Sequence, residues 1–174
     1  MTDLSTGDAE RDEILAILDK HRALFLVTVR GLSDEQARLT PTVSALSLGG
    51  LVKHVTATVV QWLDFIEQGA EAAAGIDWDD PAVYEARADS FRLLPEETLE
   101  RVLAEWAQAA ERTDALVARV DLPTSQPLPP APWFAPGEAW SNRRVFAHIL
   151  AELAQHAGHA DILRESIDGQ KTMG

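Results

Sequence analysis

Val145-Phe146-Ala147-His148-Ile149-Leu150-Ala151-Glu152-Leu153-Ala154-Gln155-His156-Ala157-Gly158-His159 reads as a helix facing a core, yet it gathers three of the chain's five histidines and a glutamate. Residues four apart on a helix stand above one another, so His148, Glu152 and His156 form one stripe, with His159 beside it. Titratable groups rarely line a buried seam without a compensating partner. A divalent metal ion is such a partner, and this stripe is where one is expected.

The same helix opens at Ser141 and ends near Gly169, and three more segments carry helical periodicity. The first spans Asp8 to Arg30, with Ile14, Leu15, Ile17, Leu18, Leu24, Phe25 and Val29 as its apolar stripe and Gly31 as its stop. Ser33 caps a short turn, and a linker follows through Pro41. The second helix starts from the cap residue Ser47 and carries Leu51, Val52, His54, Val55, Val59, Trp62, Leu63 and Ile66 to Gly69. Ala70 to Leu94 is an acidic excursion over the bundle, with a turn at Asp77-Trp78-Asp79-Asp80-Pro81 and room for one short helix. Pro95-Glu96-Glu97 supplies the start of the third helix, since proline fits a first turn and acidic side chains suit the positive end of the helix dipole. Leu99, Val102, Leu103, Trp106, Ala110, Thr113, Leu116, Val117 and Val120 continue it at helical spacing.

The proline-rich stretch from Pro123 to Pro136 forbids regular structure, and Trp133, Phe134 and Trp140 punctuate it. A connection of that length is a candidate lid or binding loop. There is no period-2 strand, internal repeat or glycine-rich phosphate loop. The expected fold is all-α, a four-helix bundle with long connections, in one domain over residues 1–174.

Composition narrows the function classes. A net charge of -13, with no basic cluster longer than Arg143-Arg144, argues against nucleic acid as a partner. No apolar run approaches the roughly 20 residues needed to cross a bilayer, and Met1 to Arg11 lacks a signal-peptide core, so no membrane is expected and the location is cytoplasmic. With no cysteine, any metal must sit on His, Asp or Glu, and any thiol chemistry needs a thiol brought by the substrate.

His54 on the second helix, with Glu152 and His156 on the fourth, would supply two imidazoles and one carboxylate. That set suits Zn²⁺ first and also Ni²⁺, Fe²⁺ or Mn²⁺, and three protein ligands leave coordination positions open for water or substrate. Taken singly, each residue has a plainer reading: His54 as a satisfied core histidine, Glu152 as a helix carboxylate, His156 as a packing residue, and Gly158 as a small residue permitting close helix contact. Their coincidence on two apolar faces favours the metal. His148 and His159 are open to three roles, orienting a ligand, serving as a fourth ligand or touching substrate.

Ser47-Leu48-Gly49-Gly50-Leu51-Val52-Lys53-His54 followed by Trp62, and Glu152-Leu153-Ala154-Gln155-His156-Ala157-Gly158-His159-Ala160-Asp161-Ile162-Leu163-Arg164-Glu165, resemble the two signature helices of the DinB/YfiT-like superfamily. The likeness is greatest to its actinobacterial branch and spans nearly the whole chain. The resemblance implies a metal-binding four-helix bundle with ligands at His54, Glu152 and His156. The middle ligand is commonly histidine and here is glutamate, which is similar to the His/Glu/His set of mycothiol-dependent maleylpyruvate isomerase. That isomerase carries a further C-terminal domain for which this chain has no room, so its substrate is not expected here.

Characterised relatives of this kind are metal-dependent transferases and isomerases that use a low-molecular-weight thiol such as mycothiol. The implied partners are therefore a small-molecule thiol and an electrophile. A free thiol with a pKa of ~8.5 is only about 3% thiolate at pH 7, so full activation by a metal is equivalent to about 2 kcal/mol. Substrate walls are expected from Trp133, Phe134 and Trp140, and carboxylate recognition from Arg143, Arg144 or Arg164. Two other classes share the same ligands: a metal-dependent hydrolase with His148 or His159 shuttling protons, and a bundle that binds metal or a small molecule without turnover. Exposed faces of such bundles often pair, which leaves a homodimer open.

Overall fold

Three of the long helices begin by the same device. Ser47, Thr98 and Ser141 are extended residues whose side-chain oxygens accept the backbone N–H three positions on, from Gly50, Arg101 and Arg144, satisfying a donor that a helix start otherwise leaves unpaired. In the computed structural model, which describes residues 4–173, the helices are α1 (Leu4–Val27), α2 (Asp34–Arg38), α3 (Leu48–Gln68), α4 (Pro81–Ser90), α5 (Leu99–Arg119) and α6 (Asn142–Asp168). The four long ones close a ring in which α1 lies against α6, α6 against α3, α3 against α5 and α5 against α1. The architecture is the expected all-α bundle.

Its core has two adjoining parts. Phe25, Leu48, Leu51, Val52, Trp106 and Leu163 fill one, and Leu18, Leu63, Leu116, Phe146 and Ile149 the other. Phe25 stacks on Trp106 with centroids 5.1 Å apart, a contact of the kind that adds about 0.5–1.5 kcal/mol to burial alone. Ile17, placed on the α1 stripe by periodicity, is instead 42% exposed.

The structure differs from the sequence reading at several element ends, α1 among them, which starts at Leu4 rather than Asp8, and in the proline-rich connection. The α-helical part of α1 stops at Val27, because Thr28, Val29 and Arg30 bond back three residues rather than four and the Thr28 hydroxyl donates to the Phe25 carbonyl. Gly31, at φ +74°, is the expected stop. The third long helix begins at Leu99 rather than Pro95, because Glu97 is engaged elsewhere: its carboxylate accepts the Leu94 N–H and pairs with Lys53 on α3. The proline-rich connection contains a short antiparallel pair, β1 (Ser125–Pro127) with β2 (Ala139–Ser141), in which Gln126 faces Trp140. Strands of three residues are too short to show alternation. The Gln126 amide pins this loop to the bundle by donating to the Phe65 and Ile66 carbonyls at the end of α3.

The excursion between α3 and α5 folds back over the bundle. After a single 3-10 turn, Gly69–Ala73, Asp80 caps α4 through the Ala82 N–H and Pro81 occupies the first turn. No residue of α4 is buried. Its C-terminal side is held because the chain at Phe91–Arg92 crosses the first turn of α3: a Cβ at Gly50 would lie 1.9 Å from the Phe91 carbonyl oxygen. Gly158 is different. A Cβ there would meet nothing within 4 Å, so it does not serve a close helix contact.

These two glycines give opposite expectations. Gly50→Ala must push the Phe91 segment away and should destabilise by about 1–3 kcal/mol. Gly158→Ala, at an open position within a helix, should stabilise by about 0.5–1 kcal/mol. Thermal unfolding of the two variants beside the parent chain checks both signs.

Candidate functional site

Gly50 and His54 are four residues apart and share a face of α3. The segment that crosses Gly50 therefore lands on His54. Phe91 stacks on the imidazole, with centroids 3.8 Å apart and planes 25° apart. Ser90 lies at its edge, with Oγ 3.0 Å from His54 Nδ1. The Ser90 hydroxyl has one proton and donates it to the Arg87 carbonyl at 2.7 Å, so toward His54 it accepts. His54 thus carries its proton on Nδ1 and leaves Nε2 bare.

α6 brings the other groups together at helical spacing. His156 Nε2 lies 3.6 Å from one Glu152 oxygen, and His148 Nε2 lies 3.5 Å from the other. On its far side, His156 Nδ1 faces His159 Nδ1 at 3.4 Å. Both helices then meet: the His54 and His156 rings are 5.0 Å apart, edge to face. His54, Glu152 and His156 each offer one ligand atom within 4.8 Å of the others, a set that could hold a metal ion.

The electrostatics suit that set. Burial, helped by the nearby charges of His156 and Arg87 and opposed by Glu152, pushes His54 down to about 4. The hydrogen bond with His156, against an opposing cost of burial, lowers the Glu152 carboxyl, and the neighbouring histidines lower it further. Burial also lowers His148. At neutral pH the site therefore holds an uncharged His54 beside an ionised Glu152, which are the protonation states a metal ligand needs.

His54 and Glu152 open onto a cavity of about 480 Å³. Its walls are aromatic: Trp62 and Phe65 from α3, Trp78 and Tyr84 from the excursion, and Trp133, Phe134 and Trp140 from the proline-rich loop and β2. Trp62 and Trp140 stack in parallel at 4.7 Å, and each meets the His148 ring edge to face. Trp78 and Trp133 close the opposite side, 4.6 Å apart, with the Trp78 indole donating to the Pro130 carbonyl.

The structure thus brings His54, Glu152, His156, His148 and His159 into one cluster and sets Trp133 and Trp140 on the adjoining walls. It does not bring the expected arginines there. Arg143 is exposed and pairs with Glu10. Arg164 is buried at the far end of α6, where it donates to the Thr28 and Arg30 carbonyls and pairs with Asp168. Arg144 sits over the Trp140 ring, 4.3 Å from its centroid, and bonds Glu138. The sequence reading missed Ser90, Phe91 and Arg87. Their signal lay elsewhere in the chain, in the Gly49-Gly50 pair, since adjacent glycines inside an apolar helix mark a close backbone approach.

The bundle is of the DinB-like kind. Residues 13–169 match the family model described as mycothiol-S-transferase, and the chain belongs to that family. Membership implies a mycothiol S-transferase-like activity. Among solved structures, a conserved protein from Enterococcus faecalis shares the fold, with a TM-score of 0.65 and 12% identity over 91% of this chain and 97% of that one. A search of curated proteins returns no match. No helix among the described residues is long and apolar enough to cross a membrane.

The lowered His54 has a measurable consequence. Its folded value lies below the ordinary 6.5, so the unfolded chain takes up the proton first. Its contribution to stability is complete above about pH 6.5 and is lost as pH falls toward about 4. Metal-free protein should lose stability across that window, and His54→Ala should lose less. Urea unfolding of both proteins at about pH 7 and about pH 5 checks this, and equal losses would refute it.

Proposed function

We propose that the protein is a divalent-metal-dependent S-transferase that joins a low-molecular-weight thiol of the mycothiol type to an electrophilic small molecule. The observation that carries the reading is the convergence of His54, Glu152 and His156 at the edge of an aromatic cavity. The donor set fits a catalytic ion. Two imidazoles and one carboxylate suit zinc, with nickel, iron and manganese also compatible, and they leave positions free for a thiol. When bound, the ion supplies acidity, holding the thiol sulfur as thiolate at neutral pH.

The chain's own residues do the rest. His54 and His156 would hold the ion through Nε2, while Ser90 and His159 fix the two rings from behind. His148 grips the second Glu152 oxygen and is itself held between Trp62 and Trp140. Glu152 cancels one of the two metal charges, so the site stays cationic and favours an anionic sulfur. Trp133, Trp140 and their aromatic neighbours wall the cavity, exclude water and orient the electrophile. In the transfer the thiol gives its proton to solvent, its sulfur bonds to the electrophilic carbon, and the displaced group leaves with the bonding pair.

Three outcomes test the reading. Purified protein should contain about one metal ion per chain, and His54→Ala and His156→Ala should lose it, as read by elemental analysis. Retention of stoichiometric metal in both variants would refute the site. Ser90→Ala should weaken metal affinity by about 10–100-fold in competition with a chelator, while Ser90→Thr, which keeps the hydroxyl, should not. Electrophile consumption should require added thiol. Equal consumption without thiol would favour hydrolysis by the same ligands, and tight small-molecule binding with no turnover across a broad panel would favour a binding protein.

A further inference from the structure

The cavity beside the metal ligands has an uneven charge pattern. Among the residues that line it, Arg87 carries the only fixed positive charge and Glu152 the only carboxylate. Glu152 is engaged by His148 and His156. Arg87 has no ion-pair or side-chain hydrogen-bond partner among the described residues. In this chain 28 acidic residues outnumber 15 basic ones, and Lys20 and Arg30, which also have no such partner among the described residues, do not line the cavity. Arg22, Lys53, Arg92, Arg101, Arg112 and Arg119 all have carboxylate partners. Arg87 projects from α4, a helix with no buried residue, and is itself exposed while lining the cavity.

The rest of the wall is flat and apolar. Trp62, Trp78, Trp133, Phe134 and Trp140 supply ring faces and edges, with Thr58 and Gln61 as neutral polar groups. A volume of about 480 Å³ suits one compact organic molecule. An aromatic ring between indoles gains stacking and burial together, and a guanidinium prefers a planar carboxylate that it can grip through two N–H groups.

We propose that the electrophile accepted here is an aryl carboxylate, with its ring among the cavity tryptophans and its carboxylate on Arg87. Arg87 is then the specificity-determining residue of this cavity. Calling the ligand an electrophile rests on the transferase reading; the binding preference itself does not. The opposite ends of such a molecule are sorted by chemistry. The carboxylate lies with Arg87, on the α4 side of the cavity near His54, and the ring lies toward Trp62, Trp140 and His148.

The test is a tryptophan-fluorescence titration of the purified protein, without thiol, using 4-nitrobenzoate and 4-nitrobenzamide. The two probes match in shape and differ in charge, and nitroaromatics quench indole emission. The carboxylate should bind at least about 10-fold more tightly than the amide. Arg87→Gln should bring the two within about 2-fold, and Arg87→Lys should keep part of the preference. Trp133→Ala should weaken both probes by a similar factor and leave their ratio intact. Each titration is repeated with chelator, because a resident ion also attracts carboxylates. Equal affinity for the two probes in the parent protein would overturn the proposal, as would a preference that survives Arg87→Gln but vanishes with chelator. Because the titration needs no thiol and no turnover, its failure is separable from failure of the transferase reading.

Discussion

The close approach of the Phe91 carbonyl to the bare backbone at Gly50 governs the geometry around His54. A helix position without a side chain lets a neighbouring segment approach nearer than any other residue would allow. Since His54 lies one turn above Gly50, that segment delivers Phe91 onto the imidazole face and Ser90 onto its edge. The ring is thereby fixed in rotation and in tautomer. A single missing methyl on α3 thus sets the direction of the His54 Nε2 and the position of the C-terminal end of α4.

A second pattern runs through the polar cluster. Buried polar groups are costly unless they are partnered, and here each of the three central groups has its partner on the outer side. Ser90 serves His54, His159 serves His156, and His148 serves one oxygen of Glu152. The inner sides are left to face one another within 4.8 Å. Partners on the outside orient the groups without occupying the positions an ion would use. Much of the site's apparent redundancy, five titratable side chains where three suffice, is this division of labour.

How far the sequence discloses this depends on whether a feature is local. The stripe of His148, Glu152, His156 and His159 is local, because helical spacing alone puts these residues on adjoining faces. The caps Ser47 and Ser141 and the stop at Gly169 are local too, and the structure has them in those roles. The start of α5 was misplaced because Glu97 is drawn away by Lys53, a residue 44 positions earlier. Ser90, Phe91 and Arg87 could not be read from their own surroundings. They reach the site through a crossing between segments some 40 residues apart, whose one trace in the sequence is the glycine pair on the other partner. The arginines expected to recognise a carboxylate, all on α6, face its outer surface or its far end, where carboxylates and carbonyls already hold them.

α4 links the two halves of the site. It buries no residue, so its order depends on a few contacts, among them the Ser90 bridge to His54 and the Lys53 ammonium on the Asp89 carbonyl. One end of this helix orients His54, and its face carries a wall of the cavity. An ion held by His54 and a molecule that fills the cavity would both bear on this helix. Thermodynamic linkage makes that relation symmetrical: whatever factor the filled cavity adds to metal affinity, the bound metal adds to affinity for the occupant. The helix that buries no residue is the element the two binding events would share.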